Sequence, residues 1–256
     1  MPLREDFTLA AHNHFEQLAQ RLVAAANPEA RPQPLLASQQ PLARLSPQPD
    51  RLVAVRASRV LLIEAARPLL LALVRLPERR GAAQADAVHS DLADQVPAFQ
   101  SVCTDALVRQ EYITGASYVL CTALDEKTAG LPPYVTGRAE EPGIRGQRQL
   151  AVRFHGDGRG GQNVFLFMAS LLKNPPEHID LLELLLIVVA LGFEGMYRNA
   201  SNGKRALDEI RHAVFEAVRS CRGEAVPAAH WSLIENLLWG RVKPGELADA
   251  QEEMFR

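Results

Sequence analysis

The most apolar stretch of the sequence runs from Asp180 to Arg198, and Glu183 and Glu194 are the only charged residues between these ends. Asp180 follows two prolines and is a favourable residue for a helix N-cap. The pattern predicts one helix of about five turns with apolar side chains on nearly every side, so other helices must enclose it. Because the apolar run is shorter than the roughly 20 residues of a bilayer crossing, it predicts a buried helix instead of a membrane span.

Two carboxylates share one stripe of this predicted helix. Glu183, Ile187, Ala190 and Glu194 follow one another at spacings of four, three and four residues, which places both acids on one face about three turns apart. Acids on a core helix need a partner, a solvated cleft or a function.

Apolar positions at helical spacing predict further helices along the chain. A proline removes a backbone hydrogen bond, so Pro68 is expected to kink or restart its helix and Pro97 to interrupt its own. The predicted segments are 7–26, 51–76, 82–109, 111–129, 163–173, 204–222 and 231–239.

Prolines suggest how the chain is divided. Residues 27–50 contain six prolines together with Ser and Gln, which is typical of a linker or an extended segment. We therefore expect an amphipathic N-terminal helix (1–26), a Pro-rich linker (27–50), a helical domain (51–226) and a C-terminal juxtamembrane segment or tail (227–256).

Composition favours an all-α protein and excludes several classes. Leu and Ala are abundant and aromatic residues make up only 6%, which favours helices over strands. With 28 basic and 30 acidic residues the chain has no excess positive charge for nucleic acid. The three cysteines are far apart and lack CxxC spacing, which argues against a disulfide framework and a zinc site. The sequence shows neither a signal peptide nor a transmembrane span, so this chain itself is expected to be soluble.

A glycine-rich loop is the alternative source of function. Gly156, Gly158 and Gly161 satisfy GxGxxG, and the apolar alternation over 150–154 resembles a strand. This is the context of a nucleotide-binding fold, so a nucleotide-binding enzyme or sensor is the rival interpretation. A lone glycine fingerprint is weak, the rest of the chain is helical in pattern, and Gln162 stands where a Walker A loop requires lysine. We expect this loop to bind no dinucleotide.

The other candidates for chemistry are isolated residues. His155 and Asp157 could be a metal pair or an acid/base pair, but two ligands do not make a metal site and no histidine has HExxH spacing. Cys121 lies in the middle of a predicted helix and is interpreted as a small core residue. We expect no catalytic, cofactor-binding or metal-binding residues.

Asp125 and Glu126 lie near the C-terminal end of the predicted helix 111–129. The helix macrodipole disfavours negative charge there by about 0.3–1 kcal/mol per residue. The N-terminus of a neighbouring helix, or an arginine such as Arg198, is expected to offset this cost. Two interpretations stay open: structural carboxylates with hydrogen bonds, or an acidic binding cleft.

Several motifs together resemble the DotU/TssL family. They are Tyr118 to Glu126 (YVLCTALDE), Phe154 to Asp157 (FHGD) with Gly160-Gly161-Gln162 and Phe165, Asp180 to Leu184 (DLLEL) and Leu191 to Arg198 (LGFEGMYR). Residues 61–76, with Ala66-Arg-Pro-Leu-Leu70, resemble the first core helix of that family. The resemblance covers about residues 50–226.

The resemblance implies an all-helical cytoplasmic domain of two side-by-side three-helix bundles with a cleft between them. It also implies a non-enzymatic scaffold of the type VI secretion membrane complex, beside TssM-like and TssJ-like components and in contact with the baseplate. Relatives serve type IVB systems as IcmH/DotU proteins. The resemblance also implies a possible homodimer. The expected location is the cytoplasmic face of the bacterial inner membrane.

The chain departs from the family pattern in places. The family has a C-terminal transmembrane anchor, whereas residues 242–256 here are polar, so that anchor is not present in this chain. Arg159 stands where an aromatic residue is expected, and Gln149-Leu150 where Ser-Leu is usual.

Together, the acids of the two predicted helices suggest a partner-binding site. If the two bundles lie side by side, a negatively charged cleft would favour a basic partner surface. The expected partner-binding residues are Asp125, Glu126, Glu183, Glu194 and Arg198.

Overall fold

The computed structural model describes residues 49–76, 82–129, 149–223 and 228–238, with the side chains of 82–88, 228–230 and 233 left undescribed. Within these ranges every regular element is helical, so the all-α prediction is confirmed. Contacts divide the described residues into a first unit, 49–160, and a second unit, 161–238. The predicted N-terminal helix, most of the predicted linker, the loop 130–146 and the tail beyond 238 lie outside the described residues.

The first unit is built around three helices that each contact the other two. Their buried faces hold the largest core side chains of this unit, including Phe99, Leu69 and Tyr118. A preceding helix packs on two of the three, and a short helix of six residues packs on the last of them. In chain order the elements are α1 (Pro49–Ala57), α2 (Leu61–Arg75), α3 (Ala82–Asp105), α4 (Gln110–Ala129) and α5 (Leu150–His155).

The second unit surrounds the most apolar helix of the chain. Its elements are α6 (Gly160–Leu171), α7 (Ile179–Ala190), a 3₁₀ turn (Gly195–Tyr197), α8 (Gly203–Arg222) and α9 (Ala228–Leu238). Both α8 and α9 pack against α7. Every residue of α7 from Leu181 to Ala190 is buried, as the apolar pattern predicts. The arrangement of the two units as side-by-side bundles stays a prediction.

Two of the expected helix breaks are absent. Pro68 lies inside α2, so of the predicted kink or restart the restart does not occur. Pro97 lies inside α3, so the predicted interruption there is wrong. Each proline is followed directly by buried core residues, and this packing outweighs the roughly 3 kcal/mol cost of an internal proline. The actual break before α2 falls at residues 58–60, and α1 begins at Pro49, just inside the predicted linker.

The central helix is shorter than predicted. α7 ends at Ala190, and Gly192 has a φ of 97°, which a helix cannot accommodate. Glu194 therefore lies beyond the helix, and the predicted stripe that joins it to Glu183 does not form. The start also differs, because His178 occupies the N-cap position without a side-chain cap bond and Asp180 lies inside the first turn.

Leu107 occupies an unfavourable position between α3 and α4. Its φ is 62°, the only positive φ of a non-glycine among the described residues, and its side chain is 86% exposed. The amides of Leu107 and Val108 donate to the carbonyls of Thr104 and Cys103, at 3.0 Å each. This hydrogen-bond pair is the Schellman motif, in which glycine is preferred at the position that Leu107 occupies.

We expect Leu107→Gly to stabilise the protein by about 0.5–1 kcal/mol, because it relieves left-handed strain and removes no buried contact. Urea denaturation measures the change. Leu107→Ala is the matched control, since alanine keeps the Cβ that causes the strain, and it should give no comparable gain. Equal effects of both substitutions would contradict this explanation.

Candidate functional site

Asp125 caps the N-terminus of a neighbouring helix. Its two carboxylate oxygens accept hydrogen bonds from the amides of Leu150 and Ala151, at 2.8 and 2.9 Å. These amides are in the first turn of α5 and have no partner within the helix. Of the predicted ways to offset the macrodipole cost, the structure shows a neighbouring helix N-terminus at Asp125. Burial raises the pKa of Asp125 to about 6, although the two amide hydrogen bonds oppose this shift.

Glu126, the next residue, is half-buried in the last turns of α4. It therefore retains access to solvent, whereas the carboxylate of Asp125 beside it accepts hydrogen bonds from α5. The sequence could not separate the roles of these two adjacent acids, and the geometry does.

Glu183 lies in the core of the second unit and is 0% exposed. Its Oε2 accepts hydrogen bonds from Nε and Nη2 of Arg222, at 2.8 and 2.6 Å. The same guanidinium donates to Oδ1 of Asp180 at 2.5 Å. Burial lowers the pKa of Arg222, but the charges and hydrogen bonds of Glu183 and Asp180 outweigh it, and the net pKa is raised. These contacts join the first two turns of α7 to the last turn of α8.

Glu194 and Arg198 form an exposed ion pair on the second unit. Nε of Arg198 lies 3.2 Å from Oε2 of Glu194, and the two side chains are 40% and 45% exposed. The predicted partner-binding residues thus fall into three environments: the helix cap with its neighbour Glu126, the buried pair of Glu183, and this surface pair. Asp125 and Glu126 belong to the first unit, and the other three to the second.

The glycine loop lacks the context of a nucleotide site. The residues that alternate like a strand, 150–154, belong to helix α5. Gly156 has a φ of 68° and ends α5 in the left-handed conformation that commonly terminates helices. In the described residues, no strand precedes the glycines to position a pyrophosphate.

A partly buried polar network, which was not predicted from the sequence, fixes the C-terminal end of α5. Oγ of Ser117 lies 3.1 Å from Nε2 of His155 and accepts a hydrogen bond from Gln100 at 3.0 Å. The hydroxyl of Tyr118 donates to Asp157 at 2.5 Å. Serine beside histidine resembles a nucleophile and its base, but Ser117 is 0% exposed, so no substrate reaches it. The sequence contains one weak signal of this network: Ser117 and Tyr118 are adjacent polar residues on a predicted helix that is otherwise mostly apolar.

Burial lowers the pKa of His155 to about 4, and the nearby charge of Asp157 opposes this shift. The imidazole is therefore neutral at physiological pH. Among the residues that the structure describes, no group of three or more His, Cys, Asp or Glu side chains is arranged to hold a metal ion.

The last described helix folds back on its own unit. Ile234, Leu237 and Leu238 of α9 are buried, and the ring of Trp231 meets that of Phe215 edge-on, with centroids 6.0 Å apart. In the described ranges no helix combines the length and apolar character that a membrane crossing requires.

Comparisons with known proteins agree with these observations. A family model described as "Type VI secretion system protein DotU" matches residues 61–237. The crystal structure of TssL from Vibrio cholerae is similar, with a TM-score of 0.53 and 23% sequence identity. That similarity covers 62% of this chain and 96% of the TssL chain, and at this identity it shows the shared fold alone. No match was found among curated proteins.

The family match covers more than half of the chain and runs from the first residue of α2 into the last turn of α9. It includes each of the sequence motifs on which the resemblance was based. The chain belongs to the DotU family of type VI secretion system proteins.

Proposed function

We propose that this protein is a non-enzymatic scaffold of the type VI secretion membrane complex, located at the cytoplasmic face of the inner membrane. The family match over residues 61–237 is the observation that carries the proposal. The proposed neighbours are TssM-like and TssJ-like membrane components, a second copy of the chain, and the baseplate. Attachment to the membrane would use the C-terminal anchor that is usual in the family.

The polar groups of the described residues support a structural role. Ser117, which is 0% exposed, and His155 belong to a network that holds the end of α5, and Asp125 holds its first turn. Glu183 is sequestered by Arg222. The side chains that most resemble catalytic groups are therefore engaged in holding helices together.

Contacts within the fold, together with exposure, separate the predicted partner-binding residues from one another. Asp125 and Glu183 are committed to contacts within the fold, so their contribution to binding would be indirect. Glu126 is half-buried, and Glu194 and Arg198 are more exposed. We propose that Glu126 is the docking acid of the first unit and meets a basic partner surface. We propose the Glu194–Arg198 pair as a charged contact of the second unit.

Glu126→Lys tests this proposal. We expect affinity for the purified cognate baseplate protein to fall by about tenfold, and the loss to shrink as salt is raised. A lysine near the C-terminal end of α4 is favourable to the macrodipole, so the melting temperature should not fall. Calorimetric titration measures the affinity, and thermal unfolding of the same sample measures stability.

Glu209→Lys on α8 is the matched control, because Glu209 is 48% exposed and undergoes the same charge change. It should leave baseplate affinity within twofold of the original. If Glu126→Lys binds as tightly as the control, Glu126 is not a docking residue. Asp125→Lys should instead lower the melting temperature, since it removes the α5 cap.

A further inference from the structure

Helices α2 and α3 pack on each other and leave a groove between them, here named the α2–α3 groove. Its apolar lining consists of Leu76 and Leu92, which are buried, and Pro68, Leu71 and Ala72, which are partly exposed. The groove has a volume of about 250 Å³, which is below the roughly 300–1,000 Å³ of pockets that enclose a small molecule. It therefore fits side chains from another protein surface better than a whole ligand.

Three polar side chains complete the lining of the groove: Arg75 on α2, and Asp91 and Gln95 on α3. Arg75 and Asp91 are exposed, and within the described ranges neither of them forms an ion pair or a side-chain hydrogen bond. Arg67, two turns earlier on α2, instead pairs with Glu64 on its own helix. The groove thus presents one positive and one negative charge that the described fold does not use.

The spacing along each helix explains why these two charges have no partner there. Ion pairs on a helix surface require opposite charges three or four residues apart. No acid lies three or four residues before Arg75 on α2, and no base lies at these spacings on either side of Asp91 on α3. A counter-ion for each charge must therefore come from outside its own helix.

We propose that the α2–α3 groove is a contact between two copies of this chain related by a two-fold axis, in which Arg75 of each copy pairs with Asp91 of the other. In a two-fold contact every pairing occurs twice, because residue i meets residue j and residue j meets residue i. The proposal deepens the proposed function, on which it rests only for the choice of a second copy as a neighbour.

Charge complementarity favours a second copy over a different protein. A different partner would have to place an acid opposite Arg75 and a base opposite Asp91, whereas a second copy carries both at the required positions. Gln95 is compatible with the same contact, because its amide both donates and accepts hydrogen bonds. Contact between the copies would also remove the partly exposed apolar lining from water.

The size of the groove sets the expected strength of the dimer. A standard interface uses roughly 20–30 residues on each side, and the lining of this groove is much smaller. We therefore expect weak association of the full chain, with a dissociation constant of about 10–100 µM.

Single charge reversals test the pairing. Arg75→Glu brings acids together at both pairings of the dimer, and Asp91→Arg brings bases together, so each variant should associate at least about tenfold more weakly than the original chain. Sedimentation equilibrium of the full chain, at concentrations that bracket the expected dissociation constant, measures the change. Both side chains are exposed, so the melting temperature should stay close to that of the original chain.

An equimolar mixture of the two variants is the decisive measurement. In a mixed dimer the acid introduced at position 75 of one copy meets the base introduced at position 91 of the other. The unchanged Asp91 of the first copy meets the unchanged Arg75 of the second. Both pairings are then restored, so the mixture should associate within about threefold of the original chain. Such recovery also shows that both variants are folded.

Arg205→Glu and Glu209→Arg on α8 are the matched controls, because they reverse the charges of an exposed pair outside the groove. Each control and their mixture should associate like the original chain. Undiminished association of Arg75→Glu would overturn the proposed contact, and so would failure of the Arg75→Glu and Asp91→Arg mixture to recover. An original chain that stays monomeric throughout would overturn the contact and remove the second copy from the proposed neighbours. The scaffold proposal would stand in each case, since Glu126→Lys tests it separately.

Discussion

Replacing Arg222 by alanine should lower the free energy of unfolding by about 3–5 kcal/mol, because it leaves the carboxylate of Glu183 buried without its counter-ion. Glu183 is 0% exposed, and both of its described hydrogen bonds come from Arg222. Asp180 would lose the same partner, although it is 44% exposed and solvent can compensate. Urea denaturation with linear extrapolation measures the loss.

Arg205→Ala is the control for this substitution. Arg205 pairs with Glu209 at 3.2 Å, but the two side chains are 85% and 48% exposed, so the loss should stay below about 1 kcal/mol. A double change of Glu183 and Arg222 to leucine should recover most of the loss, since an apolar pair of similar volume often replaces a buried ion pair at little cost. If Arg222→Ala costs no more than Arg205→Ala, the pair does not stabilise the fold as described.

The second large effect is expected at Leu184, in the middle of α7. Leu184 and Val188 of α7, and Leu191 directly after it, are each at most 1% exposed. Leu184→Ala removes buried methyl groups and leaves a cavity, so we expect a loss of about 2–5 kcal/mol in the free energy of unfolding.

Val53→Ala is the matched apolar truncation for Leu184→Ala. Val53 is 68% exposed on α1, so its shortening should change stability by less than about 0.5 kcal/mol. Chemical denaturation of both variants under identical conditions gives the comparison. A loss below about 1 kcal/mol for Leu184→Ala would show that α7 is not the centre of its unit's core.

Local patterns predicted the helices well where the signal was periodic. α8 spans Gly203–Arg222 against a predicted 204–222, and α4 spans Gln110–Ala129 against 111–129. The errors came from residues whose effect depends on packing. Pro68 and Pro97 are strong breakers in isolation, but the buried side chains that follow them keep their helices continuous, and this tertiary contribution is not visible in a local pattern.

The contacts of the candidate site were predictable only where a local feature of one helix requires a particular kind of partner. An acid at the C-terminal end of a helix needs compensation, and this argument anticipated a helix N-terminus for Asp125. Arg222 is separated from Glu183 by 39 residues, and Ser117 from His155 by 38, so no spacing rule joins them. Glu194 was misplaced because Gly192 was not recognised as the end of α7.

Because two of the three cysteines are buried and one is exposed, their reactivity with a thiol reagent can report local opening of the fold. Cys221 is exposed at the end of α8, whereas Cys103 and Cys121 are buried in α3 and α4. Burial raises the pKa of Cys103 to about 12, against the opposing charge of Arg51, so this thiol is unreactive while α3 stays packed. A thiol reagent would therefore modify Cys221 in the native state and the other two only during transient openings. The labelling rates of Cys103 and Cys121 would then measure the opening free energy of the first unit without any engineered probe.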